Sequence, residues 1–219
     1  MKSRARITVV IADDHPVFRM GLKEIVQMED GCDVVAEAGD GEEALAAIRR
    51  HQPTVAVLDV EMPRASGLDV VRALQEESVA TAPLILTMYQ QESIFNKAME
   101  LGVTGYILKD SAAADIVRGI IAVAEGRYFV SPFLMEYALK DRQSTVAQQH
   151  STSLIVTLTE TERKVLRMIA DSRTTRAIAA DLFISPRTVD AHRRNISAKL
   201  GLGGTYTLLR FAIANREML

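Results

Sequence analysis

The sequence predicts a doubly wound α/β domain of five parallel strands, followed by a smaller all-helical domain. Three observations carry this expectation. Over roughly the first 125 residues, five short apolar runs alternate with segments whose apolar residues recur at helical spacing. A polar stretch, residues 141–153, then interrupts the pattern as a linker would. Beyond it, every segment carries helical spacing and helix-start signals.

The strands fall at residues 7–11, around 34–35, and at 55–58, 84–86 and 105–108. They are apolar on both faces, as strands of a parallel sheet covered by helices on both sides must be. Between them lie helical sets: Phe18, Leu22, Ile25 and Val26; Ala44, Leu45 and Ile48; Val70, Val71 and Leu74; Ile94, Ala98 and Leu101; Ile116, Ile120 and Val123. A short extra helix is expected over 131–140, before the linker. In the second domain, Thr159-Glu160-Thr161-Glu162 is a capping box that starts a helix with Val165, Leu166 and Ile169 on its apolar face. Thr174 caps a second helix, over about 175–183. Ser185-Pro186 places an N-cap before proline at the first helical position, starting a third helix that ends at Gly201. A fourth spans about 206–214. The expected domains are therefore 5–125, a short helix and polar linker over 126–155, and 156–219.

Composition narrows the class. The single cysteine, Cys32, excludes a disulfide framework and fits a reducing compartment. The apolar run after the basic N-terminus ends at Asp13 and Asp14, too short for a signal peptide, and no stretch reaches the ~20 apolar residues of a membrane helix. A cytoplasmic location without membrane contact is expected. The net charge of −2 conceals a split: residues 1–155 carry 15 basic and 22 acidic residues, residues 156–219 carry 11 and 6. A polyanion is the natural partner of the basic end.

Asp13 and Asp14 follow the first strand, Asp59 the third, Thr87 the fourth and Lys109 the fifth. In an open α/β sheet ligands bind at these carboxyl ends, where the strand order reverses. Crowded carboxylates repel, and a divalent cation relieves them; Mg²⁺ accepts one or two carboxylates together with water and phosphate oxygens. A carboxylate can act as nucleophile toward phosphorus, giving an aspartyl phosphate, with a lysine pairing and a hydroxyl bonding to the phosphoryl oxygens. Capping of the following helix is a second role open to Asp14, and plain packing a second role open to Tyr106.

Ile11-Ala12-Asp13-Asp14-His15-Pro16, Asp59-Val60-Glu61-Met62-Pro63 with Gly67, Thr87, and Gly105-Tyr106-Ile107-Leu108-Lys109-Asp110 together resemble the flavodoxin-like receiver domain of two-component response regulators, over about residues 5–125. The resemblance implies that Asp59 is the phosphoacceptor. Asp14 and Asp59 would hold Mg²⁺ with the Glu61 backbone carbonyl, Asp13 acting largely through water. Thr87 and Tyr106 would form the switch pair.

In the basic domain, the helix from Ser185 carries Val189, His192, Ile196 and Leu200 on one face and Arg187, Asp190, Ala191, Arg194 and Ala198 on the other. A polar, partly cationic face lined by small residues suits a major groove, and the short turn before it makes a helix-turn-helix. Leu158-Thr159 with Glu162, Val165-Leu166, Ile178-Ala179 with Leu182, Ile184-Ser185, Thr188-Val189, His192, Asn195-Ile196 and Lys199-Leu200 resemble the DNA-binding domain of the LuxR/NarL/FixJ type. That resemblance implies base or phosphate contacts from Arg187, Asp190, Ala191 and Arg194, and phosphate contacts from Thr175, Arg176 and Lys199. The sequence departs from the family at Thr161 (usually Arg), Ser172 (often Gly), Thr175 (often Asn), Ala177 (often Glu) and Asp190 (often basic).

Both resemblances point to one function, a transcription regulator switched by phosphorylation of Asp59. A sensor histidine kinase would be the phosphodonor, Mg²⁺ the cofactor, double-stranded DNA the target and a homodimer the bound form. No external substrate is turned over; the receiver accepts the phosphoryl group and can lose it by self-dephosphorylation. A phosphorylation-independent DNA-binding or adaptor protein with a silent receiver is the alternative. A phosphatase with an aspartyl nucleophile would need an acid–base Asp two residues after Asp59, where Glu61 stands.

Overall fold

The computed structural model describes residues 6–89, 91–131, 155–202 and 205–219, with the backbone alone for Glu92, Thr205 and Tyr206. The chain separates into two compact units. One comprises the described residues up to 125 together with 129–131. The other comprises 126–128 and the described residues from 155 on.

The first unit alternates β1 (Ile7–Ala12), α1 (Pro16–Gln27), β2 (Cys32–Ala38), α2 (Gly41–His51), β3 (Val55–Asp59), α3 (Gly67–Glu76), β4 (Ala82–Thr87), α4 (Glu92–Glu100), β5 (Gly105–Leu108) and α5 (Ala112–Ala124). The sheet is parallel throughout, in the order β2-β1-β3-β4-β5-β6. The sixth strand, β6 (Phe129–Val130), corrects the expectation of five. Two residues are too few to show an alternating pattern, and β6 exists because the exposed edge of β5 offers partners: Phe129 N–H donates to the Thr104 carbonyl and Ser131 N–H to that of Tyr106, each at 3.0 Å. Ser131 therefore directly follows a strand; the rest of the helix expected over 131–140, and the linker over 141–153, lie outside the described residues.

Packing explains the element choices. Val9, Ile11, Val55, Val57, Leu84, Leu86 and Ile107 form one wall of the core, closed by Leu22 and Val26 of α1 and by Ile116, Ile120 and Val123 of α5. α4 buries Phe95, Ala98 and Met99, so its inward face runs through Phe95 while Ile94 is only half-buried. The strand order reverses between β1 and β3, which brings the ends carrying Asp13, Asp14 and Asp59 to one crevice. Gly67 opens α3 against it: a Cβ there would lie 2.2 Å from the Asp59 carbonyl oxygen, so the tight return after β3 demands glycine.

The second unit contains α6 (Glu160–Ala170), α7 (Thr175–Leu182), α8 (Pro186–Lys199) and α9 (Thr205–Ala214). Its helix starts follow the sequence signals. Thr159 and Glu162 close a reciprocal capping box, the Thr174 hydroxyl accepts from Ala177 N–H, and the Ser185 hydroxyl accepts from Thr188 N–H ahead of Pro186. The core gathers Leu158, Val165, Leu166, Ile169, Ile178, Val189, Ile196, Leu208 and Phe211. Ser172 and Phe183 both take left-handed backbone, at φ 58° and 54°. Ser172 ends the turn after α6, where a Cβ crowds the following carbonyl and glycine would not. Ser172→Gly should stabilise the helical unit by about 1 kcal/mol, visible as a higher midpoint in urea unfolding with an unchanged slope.

Candidate functional site

Asp59 is the last residue of β3 and is only 4% exposed. Lys109, just past β5, places its ammonium 2.7 Å from Asp59 Oδ2 and 2.8 Å from Asp13 Oδ2, reaching the ends of β3 and β1 from a strand that borders neither. Phe18 on α1 lies beneath that ammonium, 5.0 Å from ring centre to Nζ, where the face of the ring attracts the cation. Backbone donors hold the other carboxylate oxygens: His15 N–H to Asp13 Oδ1 at 2.9 Å, and Glu61 N–H to Asp59 Oδ1 at 3.4 Å. Arg19 on α1 donates to the Asp13 carbonyl. The helix cap open to Asp14 is not used. His15 occupies the N-cap of α1 and no side chain caps it. Asp14 instead pairs with His15 Nδ1, at 2.7 Å.

Ligand atoms of Asp13, Asp14, His15 and Asp59 lie within 4.8 Å of one another. Three carboxylates against one ammonium leave an excess of negative charge when all are ionised. Burial pushes the Asp59 carboxyl above the usual carboxylate range, and Lys109 only partly opposes it. Burial alone would pull the Lys109 ammonium down, but its bonds to Asp13 and Asp59 outweigh that and hold it above its ordinary value. The oxygen-rich donor set and the uncompensated charge fit a hard divalent cation such as Mg²⁺.

Thr87 ends β4 and is fully buried. Its hydroxyl oxygen accepts from Tyr89 N–H at 3.0 Å, leaving the hydroxyl proton free for another acceptor. Tyr106 on β5 is also fully buried; its hydroxyl donates to the Tyr89 carbonyl at 3.4 Å and its ring meets Phe95 edge-on, centroids 4.8 Å apart. The Tyr89 phenol in turn donates to Glu61. Tyr89 thus touches Thr87, Tyr106 and Glu61 at once. Sequence reasoning missed it, as it missed Phe18 and Arg19 as parts of the site, because nothing in their local spacing reveals contacts made between strand ends.

In the helical unit, Arg187 and Arg194 of α8 are exposed, Asp190 and Ala191 half-buried. Asp190 Oδ1 accepts from the Thr175 hydroxyl at 3.3 Å, tying α8 to the start of α7. Arg176 is exposed beside Thr175. Lys199 lies 2.7 Å from Glu162 Oε2, inside the capping box of α6, and this contact holds the Glu162 carboxyl below its ordinary range. The inward face of α8 is Val189, Arg193 and Ile196, with Leu200 behind them, so Arg193 stands where the sequence pattern placed His192.

Comparison with known proteins agrees with the two-part architecture. The model of the response regulator receiver domain matches residues 9–121, and that of bacterial regulatory proteins of the luxR family matches 156–212. The chain is 33% identical over 211 residues to the probable transcriptional regulatory protein NarL of Mycobacterium tuberculosis, covering 96% of this chain and 95% of that one. It is 36% identical over 194 residues to the nitrate/nitrite response regulator protein NarP of Escherichia coli, covering 89% and 88%. The crystal structure of the response regulator ChrA of a heme-sensing two-component system aligns with 99% of this chain and 100% of its own, at 31% identity and a TM-score of 0.53.

Removing Lys109 leaves the Asp13 and Asp59 charges facing each other in a buried site. Lys109→Met should destabilise the receiver unit near neutral pH by about 3 kcal/mol. The sign with pH follows from the raised Asp59 carboxyl. A group held above its unfolded value stabilises the fold while protonated and loses that contribution as pH rises through the raised value. The deficit of Lys109→Met should therefore shrink on acidification, measured by thermal unfolding across the carboxylate range.

Proposed function

The chain belongs to the two-component response regulators that join a receiver domain to a LuxR-type helix-turn-helix domain, and from that premise we propose that Asp59 is its phosphoacceptor and α8 its DNA-reading helix. Members of this family are DNA-binding transcription regulators served by a sensor kinase. The observation that carries the assignment of Asp59 is the Lys109 ammonium, 2.7 Å from its carboxylate at the switch point of the sheet.

An Asp59 carboxylate oxygen forms the new bond to phosphorus, and the donor's P–N bond (phosphohistidine) or P–O bond (acetyl phosphate) breaks, the electron pair leaving with an imidazole that takes a proton from solvent or with an acetate ion that takes none. Asp14, Asp59 and the Glu61 carbonyl would hold Mg²⁺, with Asp13 acting through water; the ion supplies charge neutralisation as the phosphoryl group arrives. Lys109 pairs with the incoming phosphoryl oxygens. The free Thr87 hydroxyl proton donates to one of them. Tyr106 follows Thr87 through Tyr89, a two-state surface that the phosphoryl group biases.

On the helical unit, Arg187, Asp190, Ala191 and Arg194 address base edges or adjacent phosphates. Thr175 and Arg176, at the start of α7, and Lys199 anchor backbone phosphates. The bound form is a homodimer on a site of two-fold character. Among the described residues no helix is long and apolar enough to cross a membrane, and a cytoplasmic location fits a regulator of DNA.

Incubation with acetyl phosphate should add the mass of one phosphoryl group to the intact protein, only when Mg²⁺ is present and not in Asp59→Asn. Failure to gain that mass from acetyl phosphate and from a phosphorylated kinase alike would make the receiver silent. For the helical unit, Arg194→Ala should weaken binding to the cognate operator by about 10- to 100-fold. Fluorescence anisotropy measures this directly.

A further inference from the structure

Asp190 is an acid in the middle of a face that meets a polyanion. It lies one turn from Arg187 and one turn from Arg194 along α8; both arginines are exposed and Asp190 is half-buried. Phosphate repels a carboxylate there, so Asp190 weakens contact with any duplex unless a donor on the DNA meets it. Its Oδ1 accepts from the Thr175 hydroxyl at 3.3 Å. A neutral hydroxyl orients the carboxylate without cancelling its charge, and the bond occupies one of about four acceptor sites. The hydroxyl has a single proton, and it goes to Asp190. Any phosphate contact of Thr175 then falls to its backbone N–H, an orphan donor in the first turn of α7.

In the major groove, the donors on base edges are the exocyclic amines of cytosine and adenine. Guanine offers the acceptors N7 and O6, and thymine the acceptor O4 beside a methyl group. Adenine carries its N7 acceptor next to the amine, and that lone pair repels a carboxylate. Cytosine has a C–H at the corresponding place. The Asp190 carboxylate therefore favours cytosine over the other three bases. Arg187 and Arg194, which are donors only, bring the opposite preference. At a rise of 1.5 Å per residue they stand about 4.5 Å and about 6 Å from Asp190 along the helix, within two base-pair steps of about 3.4 Å.

We propose that Asp190 is a specificity determinant of α8 that selects a C·G pair by accepting from the cytosine amine, and that Thr175 is the positioning residue that aims its carboxylate. The inference rests on the reading of α8 as the DNA-reading helix. It gives the Thr175 side chain a part in base choice in place of phosphate anchoring.

A pool of duplexes with about 20 randomised base pairs spans two half-sites one helical turn apart. Full-length protein, with and without acetyl phosphate and Mg²⁺, is carried through rounds of binding selection, and the enriched duplexes are sequenced. Wild type should enrich a cytosine at one fixed position of each half-site. Replacing that C·G pair by T·A in a selected duplex should weaken binding by about 10-fold. Asp190→Asn should move the preference to adenine, whose N6 and N7 an amide meets bidentately. Asp190→Ala should lose the preference at that position. Thr175→Val, which keeps the shape but not the donor, should lower the cytosine preference while the neighbouring preferences hold. Preferences kept elsewhere in the same pool show that a variant is folded; should Asp190→Ala enrich nothing, Asp190→Asn decides. An unchanged cytosine preference in Asp190→Asn, or a weakening of every position alike, would mark a merely structural tie between α7 and α8 and overturn the assignment. Absence of a cytosine preference in wild type, with other positions enriched, would overturn it too and leave DNA reading by α8 intact. No enrichment by wild type in either condition would overturn both.

Discussion

Everything in the receiver unit turns on one electrostatic constraint, carboxylates from two strand ends brought together in a buried crevice. Asp13 and Asp59 meet because the strand order reverses between β1 and β3. Two such charges cannot remain ionised side by side without a cation. Lys109 supplies part of that charge from the end of β5, and the contacts around it exist to hold it there: the Phe18 ring below and the two carboxylates beside. The same crowding of negative charge suits a hard divalent cation. Gly67 belongs to the same constraint, since only a residue without Cβ lets α3 start against the Asp59 carbonyl.

The second consequence is directional. Thr87 and Tyr106 sit on adjacent strands but do not bond to each other; each bonds to a different backbone atom of Tyr89. A change at Thr87 therefore reaches Tyr106 through one loop residue, and reaches the rim through the phenol that Tyr89 gives to Glu61. Burial pushes the Tyr106 hydroxyl well above its ordinary value, so it stays a protonated donor. The packing of its ring on Phe95 carries any movement into α4. The two side chains are thus linked by two hydrogen bonds to one residue, one on its N–H and one on its carbonyl.

How far the sequence alone reached depended on whether a feature is local. Strand ends, caps and helix periods are local, so Asp13, Asp59, Thr87 and Lys109 could be placed by counting to the carboxyl end of each run, and Thr159, Thr174 and Ser185 by their capping chemistry. The motif resemblance then grouped them. Contacts across the sheet are not local, and Tyr89, Phe18 and Arg19 showed no pattern of their own. β6 escaped notice because two residues cannot display a period, and its cause is the open edge of β5 rather than its own sequence. On α8, the 3.6-residue repeat correctly found the buried stripe through Val189 and Ile196. By spacing alone it placed His192 on that stripe, where Arg193 is the buried residue.

That last exchange is informative, because a fold seldom places an arginine on an apolar stripe without a reason. A leucine at 193 would fill the same position between Val189 and Ile196 at no electrostatic cost. Paired buried ions can be replaced by apolar residues with little loss, whereas an unpaired one is a standing penalty. Other buried polar groups of the helical unit are satisfied locally: Glu162 has Thr159 and Lys199, Asn215 has the Phe211 carbonyl, and Thr174 caps α7. Against that background Arg193 differs: its terminal nitrogens lack a hydrogen-bond partner and its guanidinium faces the Tyr128 ring.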